Sequence, residues 1–275
     1  MEESKIRKYV RDRYAGIARQ GSSCCGPETS CGCTVTPEDA SQRIGYSEEE
    51  LKAVPPGSNL GLGCGNPIAL ASLKEGETVL DLGSGAGFDC FLAAREVGPS
   101  GRVIGVDMTP EMVGKARENA RKGNYENVEL RLGEIENLPA ADGSVDAVIS
   151  NCVINLSTDK ERVFAEAYRV LKPGGRVMIS DIVLSRDLPE ALAGSLAAYA
   201  GCIAGAVRKD DYIRLLEKAG FRDVRVVQES PFEVGVDEAD TYVKTIAENF
   251  HVPVEAVREA AGTILSISVF GAKPA

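Results

Sequence analysis

The sequence predicts an α/β protein built on a doubly wound, mainly parallel sheet of seven strands. Three observations predict it. From residue 73 onward, short apolar runs alternate with amphipathic helical stretches, the pattern of a parallel sheet covered on both faces. The glycine-rich stretch DLGSGAG (81–87) joins the first of these runs to the first helix. Asp107 closes the second run, twenty residues beyond Gly87.

Ahead of the sheet, residues 2–18 carry Ile6, Tyr9, Val10, Tyr14 and Ile17 at roughly helical spacing, with charges between them. Gly21 ends that helix. GSSCCGPETSCGC (21–33) has no periodicity and reads as a mobile loop. SEEELKA (47–53) reads as a short helix, with Ser47 as N-cap and Glu50 completing a capping box. VPPGSNLGLGCGNP (54–67) is a Pro/Gly-rich connection.

Strands are expected at 78–82, 103–108, 128–133, 145–151, 176–183 and 222–230, and ILSISVFGAKP supplies a closing strand. Helices are expected at 87–97, at 110–122 with Pro110 in the first turn, and at 159–171, ended by Lys172, Pro173, Gly174 and Gly175. Further helices are expected at 188–205 and 209–219, and the segment 237–262 reads as helical.

The net charge of −10 excludes a surface that neutralises phosphates, so nucleic acid is not an expected partner. No apolar run reaches the roughly 18 residues a membrane helix needs. The charged N-terminus is not a signal peptide, and a cytoplasmic protein is expected. Its eight cysteines then read as reduced thiols, metal ligands or redox groups rather than a static disulfide framework.

Gly83, Gly85 and Gly87 follow the spacing G-x-G-x-G, which lets the chain turn sharply and lets a ligand approach bare backbone. The dinucleotide fingerprint is G-x-G-x-x-G, aimed at a pyrophosphate. Here Asp81 stands two residues before the first glycine, where its carboxylate repels phosphate and suits a cationic or amine-bearing ligand. Asp107 is placed to accept hydrogen bonds from both hydroxyls of a ribose, and Glu134 and Ile135, after the third strand, to border an adenine.

VLDLGSGAG, VIGVDM, the strand at 145–151 and LKPGGR resemble the class I S-adenosylmethionine-dependent methyltransferases over about residues 73–183. The resemblance implies a Rossmann-like fold with S-adenosylmethionine as cofactor. It gives Asp81, Gly83, Gly85 and Gly87 the methionine part, Asp107 the ribose, and Met108, Glu134 and Ile135 the adenine side. The organisation it implies is an N-terminal helix, cysteine-rich loop and linker (1–72), a cofactor-binding core (73–235), and a C-terminal helical segment with the closing strand (236–275).

Asn151 and Cys152 end the fourth strand, on the side where open α/β sheets bind ligands, which puts both beside the expected cofactor. An oxygen or nitrogen acceptor usually needs a base, and the sole histidine, His251, lies far from every motif. A soft atom with a free lone pair needs none, and thiolates select soft elements. Cys64 in GCGNP, Cys152 in SNCVINL, Cys202 in AGCIAGA and the early CCGP cluster resemble the arsenite methyltransferases, over nearly the whole chain. The resemblance implies methylation of trivalent arsenic held by Cys64, Cys152 and Cys202, the last two as the permanent pair.

On that resemblance, three thiolates hold arsenic as a trigonal pyramid with its lone pair facing the donor's methyl carbon. Transfer leaves arsenic formally pentavalent, and two thiols closing to a disulfide return the two electrons. Cys33 is taken as the thiol that reacts with Cys64, with Cys24, Cys25 and Cys31 competing for the role; a reductant such as thioredoxin or glutathione then restores the pair. A zinc site is the other reading of the 21–33 cluster, but CC and CGC crowd adjacent thiols around one tetrahedral ion. Cys90 is expected to pack in the core, with a place at the edge of the cofactor as its alternative.

Overall fold

The computed structural model describes residues 2–20, 36–231, 239–260 and 262–275. The sheet strands are β1 (Thr78–Leu82), β2 (Arg102–Asp107), β3 (Val128–Leu132), β4 (Val145–Asn151), β5 (Leu171–Leu184), β6 (Arg222–Pro231) and β7 (Ile264–Ala272). They form a seven-stranded sheet in the order β3-β2-β1-β4-β5-β7-β6. The first five are parallel, and β7 inserts antiparallel to both β5 and β6. Strand order reverses between β1 and β4, so a crevice opens beyond the carboxyl ends of those two strands.

The helices are α1 (Glu3–Gln20), α2 (Pro37–Arg43), α3 (Glu48–Lys52), α4 (Pro67–Ala71), α5 (Phe88–Val97), α6 (Pro110–Lys122), α7 (Lys160–Val170), α8 (Glu190–Ala193), α9 (Leu196–Ala200), α10 (Lys209–Ala219), α11 (Ala239–Phe250) and α12 (Val254–Ala260). Leu80, Leu82, Val106, Val148 and Ile179 are almost fully buried and pack on one face of the sheet with Val163 and Phe164 of α7 and Tyr212 and Leu216 of α10. The other face is filled by Val79, Val103, Ala147 and Ile149 with Phe91 and Val97 of α5 and Val113 and Ala116 of α6. Two covered faces explain why β1, β2 and β4 read as apolar runs rather than alternating patterns.

The structure corrects several boundaries. The helix expected over 188–205 is two short pieces, α8 and α9, with Gly194 and Gly201 as their C-caps and Ser195 capping the second. The glycines end each piece where the alanines alone would continue a helix. The segment 237–262 breaks between α11 and α12, where His251 takes φ 54° ahead of Pro253. The strand expected from 176 begins at Leu171, so the LKPGG stretch that ends the preceding helix is itself the start of β5, with a register shift between Val145 and Ala147 opposite it. Two short helices were not expected. α2 is capped by Thr36, whose side chain accepts from the Asp39 amide while the Asp39 carboxylate returns the bond; α4 begins at Pro67. Cys24, Cys25, Cys31 and Cys33 lie outside the described residues. Among the described residues, no helix is long and apolar enough to cross a membrane.

Candidate active site

A cavity of ≈ 430 Å³ fills the crevice beyond β1 and β4. It is lined by the β1–α5 loop, by Asp107 and Met108 after β2, by Glu134 and Ile135 after β3, by Asn151 and Cys152 after β4, and by Cys202. Helix α1 lines it through Val10, Tyr14 and Ile17, and through Arg7, which pairs with Glu134 at 3.2 Å and Glu136 at 3.6 Å. The glycine loop is tied to β2, because the amides of Gly83 and Ser84 donate to the Val106 carbonyl at 2.8 and 3.0 Å. Gly83 has φ 68°, and a Cβ there would lie 2.3 Å from the Val153 side chain, so only glycine fits. Gly85, at φ 52°, faces open space within the cavity.

The polar lining fits a nucleoside that carries a positive charge. The Asp107 carboxylate accepts from the amides of Gly85 (3.0 Å) and Thr109 (2.8 Å), and burial still holds its carboxyl above the usual range. Burial and the nearby Asp89 hold Asp81 well above that range, with the Cys90 thiol donating to it at 3.2 Å. Burial raises Asp89 itself to about 6, although Tyr46 and Asn151 donate to it. Two buried acids held toward their neutral forms gain by meeting a cation, whereas a phosphate would worsen their burial.

Three thiols converge around Cys152: Cys152 and Cys202 line the cavity, and Cys64 stands beside Cys152 without lining the cavity itself. The Cys64 and Cys152 sulfurs and a carboxylate oxygen of Asp181 all lie within 4.8 Å of one another. Cys202 donates its thiol to the Cys152 carbonyl at 2.9 Å, and the Cys152 thiol interacts with the thiols of both Cys202 and Cys64. These residues come from three distant parts of the chain: the connection before α4, the end of β4, and the turn after α9. Cys152 and Cys202 hold positive φ, 56° and 64°, a conformation that L side chains avoid and that clusters at functional sites. Leu156, Tyr199, Ile203 and Phe250 pack around the thiols and keep their surroundings apolar.

The thiols rest protonated. Burial raises Cys64 to about 11. For Cys152 the Cys202 thiol works downward, but Cys64 and burial outweigh it, and the group stands well above the ordinary range. The Cys152 thiol and then burial raise Cys202 in the same way. Asp181, fully buried, is raised to about 6 by burial against donation from the Ile182 amide, the Tyr212 hydroxyl and Asn155. Lys160, half-buried, is lowered by burial, while Asp181 and Cys202 act to keep it charged.

Asp81, Gly83, Gly85, Asp107, Met108, Glu134, Ile135 and Asn151 all line the cavity, as do Cys152 and Cys202. Gly87 lies behind it as the left-handed N-cap of α5, φ 96°, against the Phe91 ring. Asn151, expected at the cofactor, also turns its amide oxygen to the Cys64 backbone amide at 3.0 Å. Cys90 is fully buried and bonded to Asp81, in the packing role expected of it. Tyr46, Asp89, Lys160 and Asp181 were missed. A lone acid inside the apolar strand MISDIV was a usable signal for Asp181; Tyr46 stands before a capped helix and carries no local signal.

Residues 73–220 match the family model described as a methyltransferase domain. An arsenite methyltransferase of Halobacterium salinarum is 53% identical over 82% of this chain and 59% of its own length. One from Aquipseudomonas alcaligenes is 41% identical over 83% of this chain and 66% of its own. The crystal structure of an arsenic (III) S-adenosylmethionine methyltransferase from Chlamydomonas reinhardtii superposes with a TM-score of 0.62 at 35% identity, covering 86% of this chain and 73% of that one. The fold and the cavity define a methyltransferase of the doubly wound α/β class. The chain belongs to the methyltransferase-domain family and, within it, groups with the arsenic(III) S-adenosylmethionine methyltransferases. It spans 59% and 66% of the length of the two curated relatives it matches.

Proposed function

We propose that the protein transfers a methyl group from S-adenosylmethionine to trivalent arsenic bound by Cys64, Cys152 and Cys202. The observation that carries this reading is the convergence of three thiols, those of Cys64 and Cys202 on either side of Cys152, beside a cavity that suits a cationic nucleoside. Arsenous acid and three neutral thiols condense to an arsenic tristhiolate with release of three waters, so each thiol proton leaves on an arsenic-bound hydroxyl. Protonated resting thiols therefore suit the substrate, and no three-fold thiolate repulsion has to be overcome. The apolar wall excludes the water that would reverse the condensation.

S-adenosylmethionine, when bound, supplies an electrophilic methyl carbon on a sulfonium. Asp107 accepts from the ribose hydroxyls, Asp81 and the bare backbone of Gly83 and Gly85 hold the methionine part, and Met108, Glu134 and Ile135 border the adenine. The three sulfurs fix arsenic so that its lone pair faces inward, and orientation then supplies most of the rate enhancement. Transfer turns the arsenic lone pair into an arsenic–carbon bond and leaves arsenic formally pentavalent. The Cys33 thiolate then attacks the arsenic-bound Cys64 sulfur, the arsenic–sulfur bonding pair returns to arsenic as a lone pair, and the Cys33–Cys64 disulfide so formed is reset by a thiol reductant such as thioredoxin or glutathione. This chemistry needs a reducing compartment, which supports a cytoplasmic location.

Incubation with arsenite, labelled S-adenosylmethionine and excess thiol tests the reading. Labelled mono- or dimethylated arsenic is the expected product. A labelled organic product without arsenic, or tight As(III) binding with no transfer, would replace it.

A further inference from the structure

Cys64 sits on a loop with no regular hydrogen bonding, yet that loop is seated tightly. Gly63 has φ 146°, and a Cβ there would lie 2.9 Å from the Asn151 amide; one on Gly65 would lie 2.7 Å from the Ser180 side chain. Asn151 brackets the loop from both sides, its oxygen accepting from the Cys64 amide at 3.0 Å and its nitrogen donating to the Gly65 carbonyl at 2.8 Å. The same nitrogen reaches the Tyr46 hydroxyl at 2.9 Å and Asp89 at 3.2 Å. Tyr46 is buried between α2 and α3, its ring edge-on to Phe88 at 4.8 Å, and its hydroxyl donates to Asp89 at 2.5 Å. Asp89 and Asn151 line the donor cavity, whereas Tyr46 does not. One phenolic oxygen thus joins the carboxylate that faces the donor to the amide that holds the Cys64 loop.

We propose that Tyr46 is a positioning residue for the transfer: through Asp89 and Asn151 it fixes the Cys64 loop in register with the donor cavity and so presents the third thiol to arsenic. The inference rests on the arsenic reading above and deepens it. Arsenous acid has three exchangeable hydroxyls and takes three thiols. A monomethylated trivalent arsenical has two, because its arsenic–carbon bond does not exchange, and Cys152 with Cys202 suffices to hold it. Loosening the Cys64 loop therefore weakens the reaction of arsenite selectively.

Tyr46→Phe keeps the ring against Phe88 and removes only the hydroxyl. The kcat/KM for arsenite should fall by about tenfold or more, the scale of one lost buried hydrogen bond to a charged group. The kcat/KM for monomethylarsonous acid should fall by less than about threefold. Equal losses with both substrates, or no loss with arsenite, overturn the proposal. Alkylation of Cys64 by N-ethylmaleimide, followed by mass mapping of the ligand-free protein, gives a readout independent of activity. Cys64 should label about fivefold faster or more in the variant, with the Cys152 rate unchanged. Unchanged Cys64 labelling overturns the positioning role. A wild-type protein that methylates no arsenical overturns the arsenic reading instead, and the labelling comparison still decides whether Tyr46 holds the loop.

Discussion

Cys202 donates its thiol hydrogen to the backbone carbonyl of Cys152 at 2.9 Å, and both residues hold the left-handed backbone conformation. A non-glycine residue in that region costs on the order of 1 kcal/mol or more, so the surrounding packing must enforce it. Tyr199 and Gly205 help to do so: the Tyr199 hydroxyl donates to the Ser157 carbonyl at 3.0 Å, and a Cβ on Gly205 would lie 2.0 Å from the Asn155 carbonyl oxygen. Strain concentrated on two cysteines that face each other is what a preorganised thiol pair requires.

Serine at either position keeps the shape and removes the soft sulfur. Cys152→Ser and Cys202→Ser should each lower arsenite turnover by a hundredfold or more, roughly the loss expected when a reacting atom is no longer held in place. Isothermal titration with S-adenosylhomocysteine should find donor-site affinity within about threefold of wild type. Undiminished turnover in either variant would remove that residue from the arsenic site.

Asp107 tests the other half of the cavity. Its carboxylate accepts from two backbone amides and faces the place assigned to the ribose. Asp107→Ala should weaken S-adenosylhomocysteine binding by about tenfold to a hundredfold, since hydrogen bonds to a charged group are lost together. An unaltered dissociation constant would show that the ribose lies elsewhere.

Asp181 makes stability depend on pH with a definite sign. Burial raises its folded-state carboxyl to about 6, above its unfolded value. The stabilisation is complete below about pH 4 and is lost as pH rises through about 6. Asp181→Asn removes the loss, and relative to wild type it should gain up to about 3 kcal/mol between pH 4 and pH 7. Urea midpoints across that interval measure it. Asp89, also raised to about 6 by burial, has the same sign, so the variant keeps a reduced slope. Parallel pH profiles for the two proteins would show that Asp181 does not titrate in this way.

The cysteine cluster at 21–33 supplies the redox prediction. Mass mapping after a single turnover without reductant should show a Cys33–Cys64 bridge, and Cys33→Ser should transfer one methyl group and stall without forming that bridge. Continued cycling in that variant would assign the role to Cys24, Cys25, Cys31 or an external thiol.

Much of the site was legible because its parts are local. The turn at 81–87, the acid at 107 and the cysteine at the end of β4 each follow from a strand-to-loop boundary that the sequence pattern reveals. The resemblance carried by the motifs around Cys64, Cys152 and Cys202 brought the three thiols together, and in the structure Cys152, at the cavity wall, neighbours both Cys64 and Cys202. Tyr46 and Asp89 were not legible, because their meaning depends on Asn151, 105 and 62 residues away, rather than on their own surroundings in the chain. The 188–205 segment was misread for the opposite reason: its alanines suit a helix locally, and the break at Gly194 and Gly201 serves the turn that presents Cys202.

Arsenic K-edge X-ray absorption of the As(III)-loaded protein measures the central claim directly. The wild-type protein should show arsenic bonded to three sulfurs and no oxygen, and Cys64→Ser should show two sulfurs and one oxygen. An arsenic shell dominated by oxygen in the wild type, or one unchanged by the loss of Cys64, Cys152 or Cys202, would contradict the account.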